Sequence, residues 1–138
     1  MTNILIGEDN YRIRKILRRI LAQKSDWRIC GEAHDGQDAV RLAKLSCPDL
    51  ALLDISMPLM NGFDAAKLII ASCPNAIVIT ESFLESAQMM DKLKTAGVRG
   101  FIPKMELVTE LVPAIEAVLS GGTWFRPDDG NSIGTTPQ

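Results

Sequence analysis

The sequence has few cysteines, and those it has show no pairing pattern. Cys30, Cys47 and Cys73 are odd in number, and none lies in a C-x-x-C spacing. This pattern favours thiols in a cytosolic protein over a disulfide framework or a zinc site. We therefore expect the cysteines to be reduced and partly buried.

The sequence also lacks the features of membrane, exported and nucleic-acid-binding proteins. No apolar run approaches the roughly 20 residues of a membrane span. The opening MTNILIGEDN has no secretory hydrophobic region, and a net charge of -2 provides no basic field for nucleic acid. With 138 residues, 46% of them hydrophobic, we expect one globular domain in the cytoplasm.

Short apolar runs alternate along the chain with segments of helical periodicity. The apolar runs predict strands over 3–7, 27–33, 49–54, 76–80 and 98–102. The intervening segments predict helices over about 10–23, 36–45, 63–72 and 85–96, and a last helix that ends near Ser120. Five strand–helix units in strict alternation predict an α/β fold, a parallel sheet with helices on both faces. Residues 1–125 form the predicted domain, and the polar stretch 126–138 is a predicted loose tail or linker.

Charged and hydroxyl side chains follow the predicted strands. In a doubly wound sheet, chemistry collects beyond the carboxyl ends of the strands. The residues at these ends are Glu8, Asp9, Asp54, Thr80 and Lys104. Taken singly, Asp9 could cap the helix that follows it and Asp54 could cap a loop. Three acids gathered in one place repel one another unless a cation joins them, so their convergence predicts a site for a hard divalent cation.

This set of groups suits phosphoryl chemistry. Mg²⁺ prefers carboxylate oxygens and retains water ligands. Asp9 and Asp54 could ligate it directly, with Glu8 holding a coordinated water. Asp54 could then attack phosphorus as a nucleophile, while Lys104 and Thr80 each bind one phosphoryl oxygen.

The same residues carry a family resemblance. The acidic pair E-D, then L-L-D-I-S-M-P-L-M-N-G, I-V-I-T and G-F-I-P-K resemble the receiver domain of two-component response regulators over about residues 2–125. The stretches CGEAHDGQDAV and AIEAVLSGGTWF are similar to the NarL/FixJ-like class. The resemblance implies a flavodoxin-like fold with five helices and a five-stranded parallel sheet in the order 2-1-3-4-5.

The resemblance also implies roles for the site residues. Asp54 would be the phospho-acceptor, supplied by a sensor histidine kinase or a small phosphodonor. Glu8, Asp9 and the backbone carbonyl of Ser56 would complete with Asp54 a site for Mg²⁺ or Mn²⁺. The protein would be a signalling switch with weak intrinsic autophosphorylation and autodephosphorylation rather than an enzyme.

Thr80 and Phe101 would form the switch pair of this family. The threonine hydroxyl moves to the phosphoryl group and the aromatic ring follows inward, which changes a surface that binds a partner. The family class suggests the N-terminal half of a LuxR/NarL-type transcriptional regulator, with homodimer formation as one option. The chain contains no recognition helix, so we expect no specific DNA binding by this chain alone.

Two features leave alternatives open. Family members usually carry a small residue where this chain has Glu81, directly after Thr80. Its side chain could crowd or repel the incoming anion and so gate phosphorylation, or it could point to solvent.

The basic residues of the first helix could bind a kinase or form a solvated face; they are Arg12, Arg14, Lys15, Arg18 and Arg19.

Two other functions compete with the receiver interpretation. A Mg²⁺-dependent phosphatase with an aspartyl nucleophile would need a second aspartate two residues later, where this chain has Ser56. A degenerate receiver that only docks partners would not need the complete set of site residues. Both alternatives are therefore disfavoured.

Overall fold

A computed structural model describes residues 1–126 of the chain. Apart from Arg126, the predicted C-terminal tail lies outside the described residues. None of the helices in the described part has the length and apolar character needed to cross a bilayer.

The strands form one parallel sheet in the order β2-β1-β3-β4-β5, which confirms the predicted fold. They are β1 (Thr2–Gly7), β2 (Trp27–Ala33), β3 (Leu50–Asp54), β4 (Ile77–Ser82) and β5 (Gly100–Pro103). All five residues of β3 are buried, because a central parallel strand is covered by helices on both faces. The strand therefore delivers its last residue, Asp54, to the middle of the carboxyl edge.

Within residues 1–126, five α-helices connect and cover the strands. They are α1 (Tyr11–Leu21), α2 (Gly36–Ser46), α3 (Gly62–Ser72), α4 (Ala87–Ala96) and α5 (Leu107–Leu119), the last preceded by a 3₁₀ turn at Lys104–Glu106. The first four begin after a side chain that accepts a backbone N–H bond of the first turn: Asn10, Asp35, Asn61 and Ser86. Such caps satisfy N–H groups that a helix cannot pair internally, which explains why the helices begin at these residues.

The core consists of two apolar layers, one on each face of the sheet. Leu50 and Leu52 pack with α1 and α5 on one face. Ala51 and Leu53 pack with α2, α3 and α4 on the other. This division follows from the two-residue side-chain period of a strand and holds β3 rigidly between the layers.

Strand β4 is longer than predicted. The apolar run suggested an end at Thr80, but the strand continues through Glu81 and Ser82. Glu81 lies opposite Asp54 of β3 and Ile102 of β5 in the sheet register. Strand pairing on both sides thus outweighs the low intrinsic strand preference of glutamate and holds Glu81 inside the sheet edge.

The prediction that all cysteines are reduced is wrong. Cys47 and Cys73 form a disulfide with their Cα atoms 5.5 Å apart, a separation typical of such bonds, and Cys30 is free. Cys47 ends α2 and Cys73 ends α3, so the packing of these two helices brings the thiols together. Residues 26 positions apart form no short motif that would have indicated the pair.

Reduction of the Cys47–Cys73 bond should lower the free energy of unfolding by about 3 to 4 kcal/mol, since the bond closes a loop 26 residues long in the unfolded chain. Urea unfolding with and without reductant measures this difference. Alkylation of the denatured, unreduced protein should label Cys30 alone. Labelling of all three cysteines without reductant would contradict the bond.

Candidate functional site

Asp54 is fixed by two hydrogen bonds at the carboxyl end of β3. Asp54 is buried, with 1% of its surface exposed. The backbone N–H of Ser56 donates to Oδ1 at 2.9 Å, and Lys104 Nζ donates to Oδ2 at 3.1 Å. Each carboxylate oxygen therefore has a different partner, one neutral and one cationic.

Lys104 lies among three buried carboxylates. Its Nζ is 3.1 Å from Asp54 Oδ2, 3.2 Å from Glu8 Oε1 and 3.7 Å from Glu81 Oε1. Asp54 ends β3, Glu8 directly follows β1, Glu81 lies in β4, and the lysine itself follows β5. The structure thus brings together Glu8, Asp54 and Lys104 as the strand-end argument predicts, and one ammonium faces three acids.

Glu81 belongs to the same pocket, so the alternative that its side chain points to solvent is wrong. The residue is 0% exposed, and neither of its carboxylate oxygens accepts a hydrogen bond from the described residues. Carboxylate oxygens of Glu8, Asp54 and Glu81 all lie within 4.8 Å of one another. The extra acid is therefore part of the site.

Burial and mutual repulsion shift the pKa values of the pocket. The pKa of Asp54 is raised, first by burial and further by the charge of Glu8, while the Ser56 N–H and Lys104 oppose the shift. The pKa of Glu81 is raised well above its ordinary value, first by burial and then by the neighbouring Glu8 carboxylate. Burial acts to lower the pKa of Lys104, but its carboxylate neighbours outweigh this and the pKa is raised.

Unlike Glu8, neither Asp9 nor Ser56 contributes a side chain to the buried cluster of carboxylates. Asp9 is exposed and is not among the clustered carboxylates of the described chain. Ser56 contacts the site through its N–H, on Asp54. Their roles as metal ligands stay predictions.

Arg14 supports the acidic turn, a role that sequence reasoning missed. Its guanidinium donates to the backbone carbonyls of Glu8 at 2.8 Å and Asp9 at 3.1 Å, and the residue is only 7% exposed. The charge pattern had placed it on a face that was either solvated or available to a kinase. Its position at the start of the helix that follows the acidic pair was the one available signal.

Thr80 and Phe101 are partners in the register of β4 and β5. The Thr80 hydroxyl donates to the Gly100 carbonyl at 3.2 Å, so it is bonded to β5 rather than to Asp54. Phe101 is 0% exposed. The ring is therefore already inside the protein in this structure, whereas the predicted inward movement would begin from an exposed ring.

Gly62 explains the spacing of the D-x-x-M-P-x-x-x-G motif. Its N–H donates to the Ile55 carbonyl at 2.9 Å, and a Cβ at this position would overlap the Asp54 backbone carbonyl. Only glycine lets α3 begin so close to the end of β3. The motif thus holds the loop that carries Ser56 against Asp54.

The raised pKa of Glu81 predicts a pH dependence of stability. Without divalent cations, the free energy of unfolding should decrease as pH rises from the ordinary pKa of glutamate through the raised pKa of Glu81, because the folded state binds this proton more tightly than the unfolded chain does. Glu81→Gln should lose less stability over that interval, keeping only the part due to Asp54. Urea unfolding in a chelator at several pH values tests this, and parallel curves for the two proteins would contradict it.

Comparison with known proteins gives a consistent result. The response regulator receiver domain family matches residues 4–116. The transcriptional regulatory protein PdtaR of Mycobacterium tuberculosis is 37% identical over 117 residues, which cover 85% of this chain and 56% of that protein. The uncharacterized transcriptional regulatory protein YxjL of Bacillus subtilis is 32% identical over 123 residues, covering 89% and 56%. The chain spans a little over half the length of these relatives.

Solved structures show the same fold. A LuxR-family two-component response regulator from Aurantimonas sp. SI85-9A1 superposes with a TM-score of 0.87 at 27% identity, covering 98% of this chain and 96% of that one. The signal receiver domain of the putative response regulator NarL from Mycobacterium tuberculosis gives 0.80 at 30% identity, covering 87% and 97%. The chain belongs to the response regulator receiver domain family, and its relatives include regulators of the NarL/LuxR class.

Proposed function

We propose that the chain accepts a phosphoryl group on Asp54, from a sensor histidine kinase or a small phosphodonor, and thereby changes a partner-binding surface. The observation that carries this proposal is the ion pair of Asp54 with Lys104 at the carboxyl end of the central strand. It combines a buried carboxylate with the cation that phosphoryl transfer needs.

In the transfer step, a carboxylate oxygen of Asp54 forms a bond to phosphorus while the bond from phosphorus to the donor breaks. The Ser56 N–H holds one oxygen of the carboxylate and so limits its rotation. Lys104, already 3.1 Å from the other oxygen, would turn to a phosphoryl oxygen and offset the charge there. Slow hydrolysis of the resulting acyl phosphate would reset the switch.

The donor set suits a hard divalent cation, Mg²⁺ or Mn²⁺. Carboxylate oxygens of Glu8 and Asp54 lie within 4.8 Å of each other. The single ammonium of Lys104 contacts both carboxylates and cannot neutralise the charge of both. We propose that Glu8, Asp9, Asp54 and the Ser56 carbonyl hold the cation. When bound, it would neutralise part of the repulsion between the carboxylates and the incoming phosphoryl group.

The switch would act through the Thr80 hydroxyl. A phosphoryl group adds about -1.5 to -2 charge and three strong acceptors, so a charge-assisted bond would replace the present one from Thr80 to Gly100. This frees a carbonyl of β5 directly before Phe101. Because that ring is already buried, its response would be a repacking within the core, and a partner that prefers the new surface shifts the population toward it.

The family relationship supports further proposals about the whole protein. Relatives named as transcriptional regulators are nearly twice as long as the matched region, so we propose that residues 1–125 act as the N-terminal receiver half of a LuxR/NarL-type regulator in the cytoplasm. A sensor histidine kinase and a second copy of the chain are its proposed partners, and DNA contact would belong to an output domain. The phosphatase alternative lacks support, since an exposed Ser56 occupies the position of its second aspartate.

Asp54→Asn should abolish phosphoryl acceptance, because an amide oxygen is a poor nucleophile toward phosphorus. Intact-protein mass spectrometry after incubation with acetyl phosphate and Mg²⁺ should show a gain of one phosphoryl mass in the wild type only. The same gain in the variant would place the acceptor elsewhere.

Glu81→Ala should speed phosphorylation at saturating Mg²⁺, because it removes a buried negative charge beside the incoming anion. We expect about a tenfold increase, which corresponds to about 1.4 kcal/mol of barrier. The rate with acetyl phosphate, followed by mass spectrometry, measures it, and Glu85→Ala removes an exposed carboxylate as the matched control. An unchanged rate in Glu81→Ala would clear Glu81 of any gating role.

A further inference from the structure

Glu81 is a buried carboxylate that the expected metal set of this family does not include. The residue is 0% exposed, and both carboxylate oxygens are inaccessible and without a hydrogen-bond donor in the described chain. Buried ionised groups are stable only when they are paired or coordinate a metal. When ionised, the side chain is therefore held in place by the sheet without a hydrogen-bond donor for its charge.

Lys104 forms only a long ion pair with Glu81. Its Nζ is 3.7 Å from Glu81 Oε1, beyond hydrogen-bonding distance, while it is 3.1 Å from Asp54 and 3.2 Å from Glu8. When all are ionised, three carboxylates face one ammonium. The excess negative charge of the four groups is then equal in size and opposite in sign to the charge of one divalent cation.

The geometry brings these acids close enough to share such an ion. One oxygen each of Glu8, Asp54 and Glu81 lies within 4.8 Å of the others. Asp54 and Glu81 are directly opposite in the β3–β4 register, so their relative position is set by the paired backbone. Asp9, by contrast, is exposed and lies outside this group.

We propose that Glu81 is a ligand of the divalent cation in this receiver, a third buried carboxylate beside Glu8 and Asp54. The inference rests on the proposed Mg²⁺ site and adds a residue to it. Glu81 then has two opposing effects: it strengthens cation binding, and at saturating cation it remains a negative charge beside the phosphoryl position. Cation affinity and phosphorylation rate are thus separate properties of the same side chain.

Direct titration of the full chain with Mn²⁺ tests this proposal without any phosphodonor. Electron paramagnetic resonance records free aqueous Mn²⁺, whose signal is lost on binding, and competition with Mg²⁺ gives the affinity for the second ion. Glu81→Gln keeps the shape but removes the charge. Glu81→Asp keeps the charge but withdraws the carboxylate by one methylene, and Glu85→Gln removes an exposed acid nearby.

We expect Kd for Mn²⁺ to rise about tenfold or more in both Glu81 variants, since loss of even an indirect metal partner has effects of 10–100-fold. Glu85→Gln should bind as the wild type does. An unchanged Kd in Glu81→Gln, or a wild-type Kd in Glu81→Asp, would overturn direct ligation. Asp54→Asn distinguishes a failure of the Glu81 proposal from a failure of the cation site. If Asp54→Asn also retains the wild-type affinity, the proposed cation site itself is wrong. Circular dichroism of each variant confirms that it is folded.

Discussion

The site depends on one electrostatic imbalance, a single lysine ammonium placed among three buried carboxylates. Lys104 approaches Asp54 and Glu8 to 3.1 and 3.2 Å and leaves Glu81 without a hydrogen bond. In a region shielded from water, such an excess of negative charge is costly. The excess negative charge therefore favours binding of a cation in the pocket, and the phosphoryl transfer proposed for Asp54 requires such a cation.

The fold makes this imbalance tolerable. Asp54 ends a strand whose five residues are all buried, with an apolar layer on each face. Gly62 lets the following helix begin against the Asp54 carbonyl, and Arg14 binds the carbonyls of the acidic turn. The repelling groups are thus held by rigid elements that meet at one edge of the sheet.

Much of this arrangement could be predicted from the sequence. Alternating apolar and helix-period segments predicted the parallel sheet, and the strand-end rule placed Asp54, Glu8 and Lys104 together although 96 positions separate the last two. Such predictions succeed because parallel strands present their carboxyl ends at one edge.

The remaining features depend on packing that no local pattern encodes. Every residue of β4 from Val78 onward is buried, so no alternation of polar and apolar residues showed which way Glu81 points. The Cys47–Cys73 bond depends on the approach of two helix ends. Arg14 looked like one more member of a basic face until its contacts with the turn carbonyls were visible.

The central claim concerns the atom that receives phosphorus, and chemical trapping tests it most directly. Borohydride reduces an aspartyl phosphate to homoserine, which peptide mass spectrometry locates in the sequence. After treatment with acetyl phosphate and Mg²⁺, the account predicts homoserine in place of Asp54. Homoserine at another acid, or phosphate uptake with Asp54 unreduced, would contradict it.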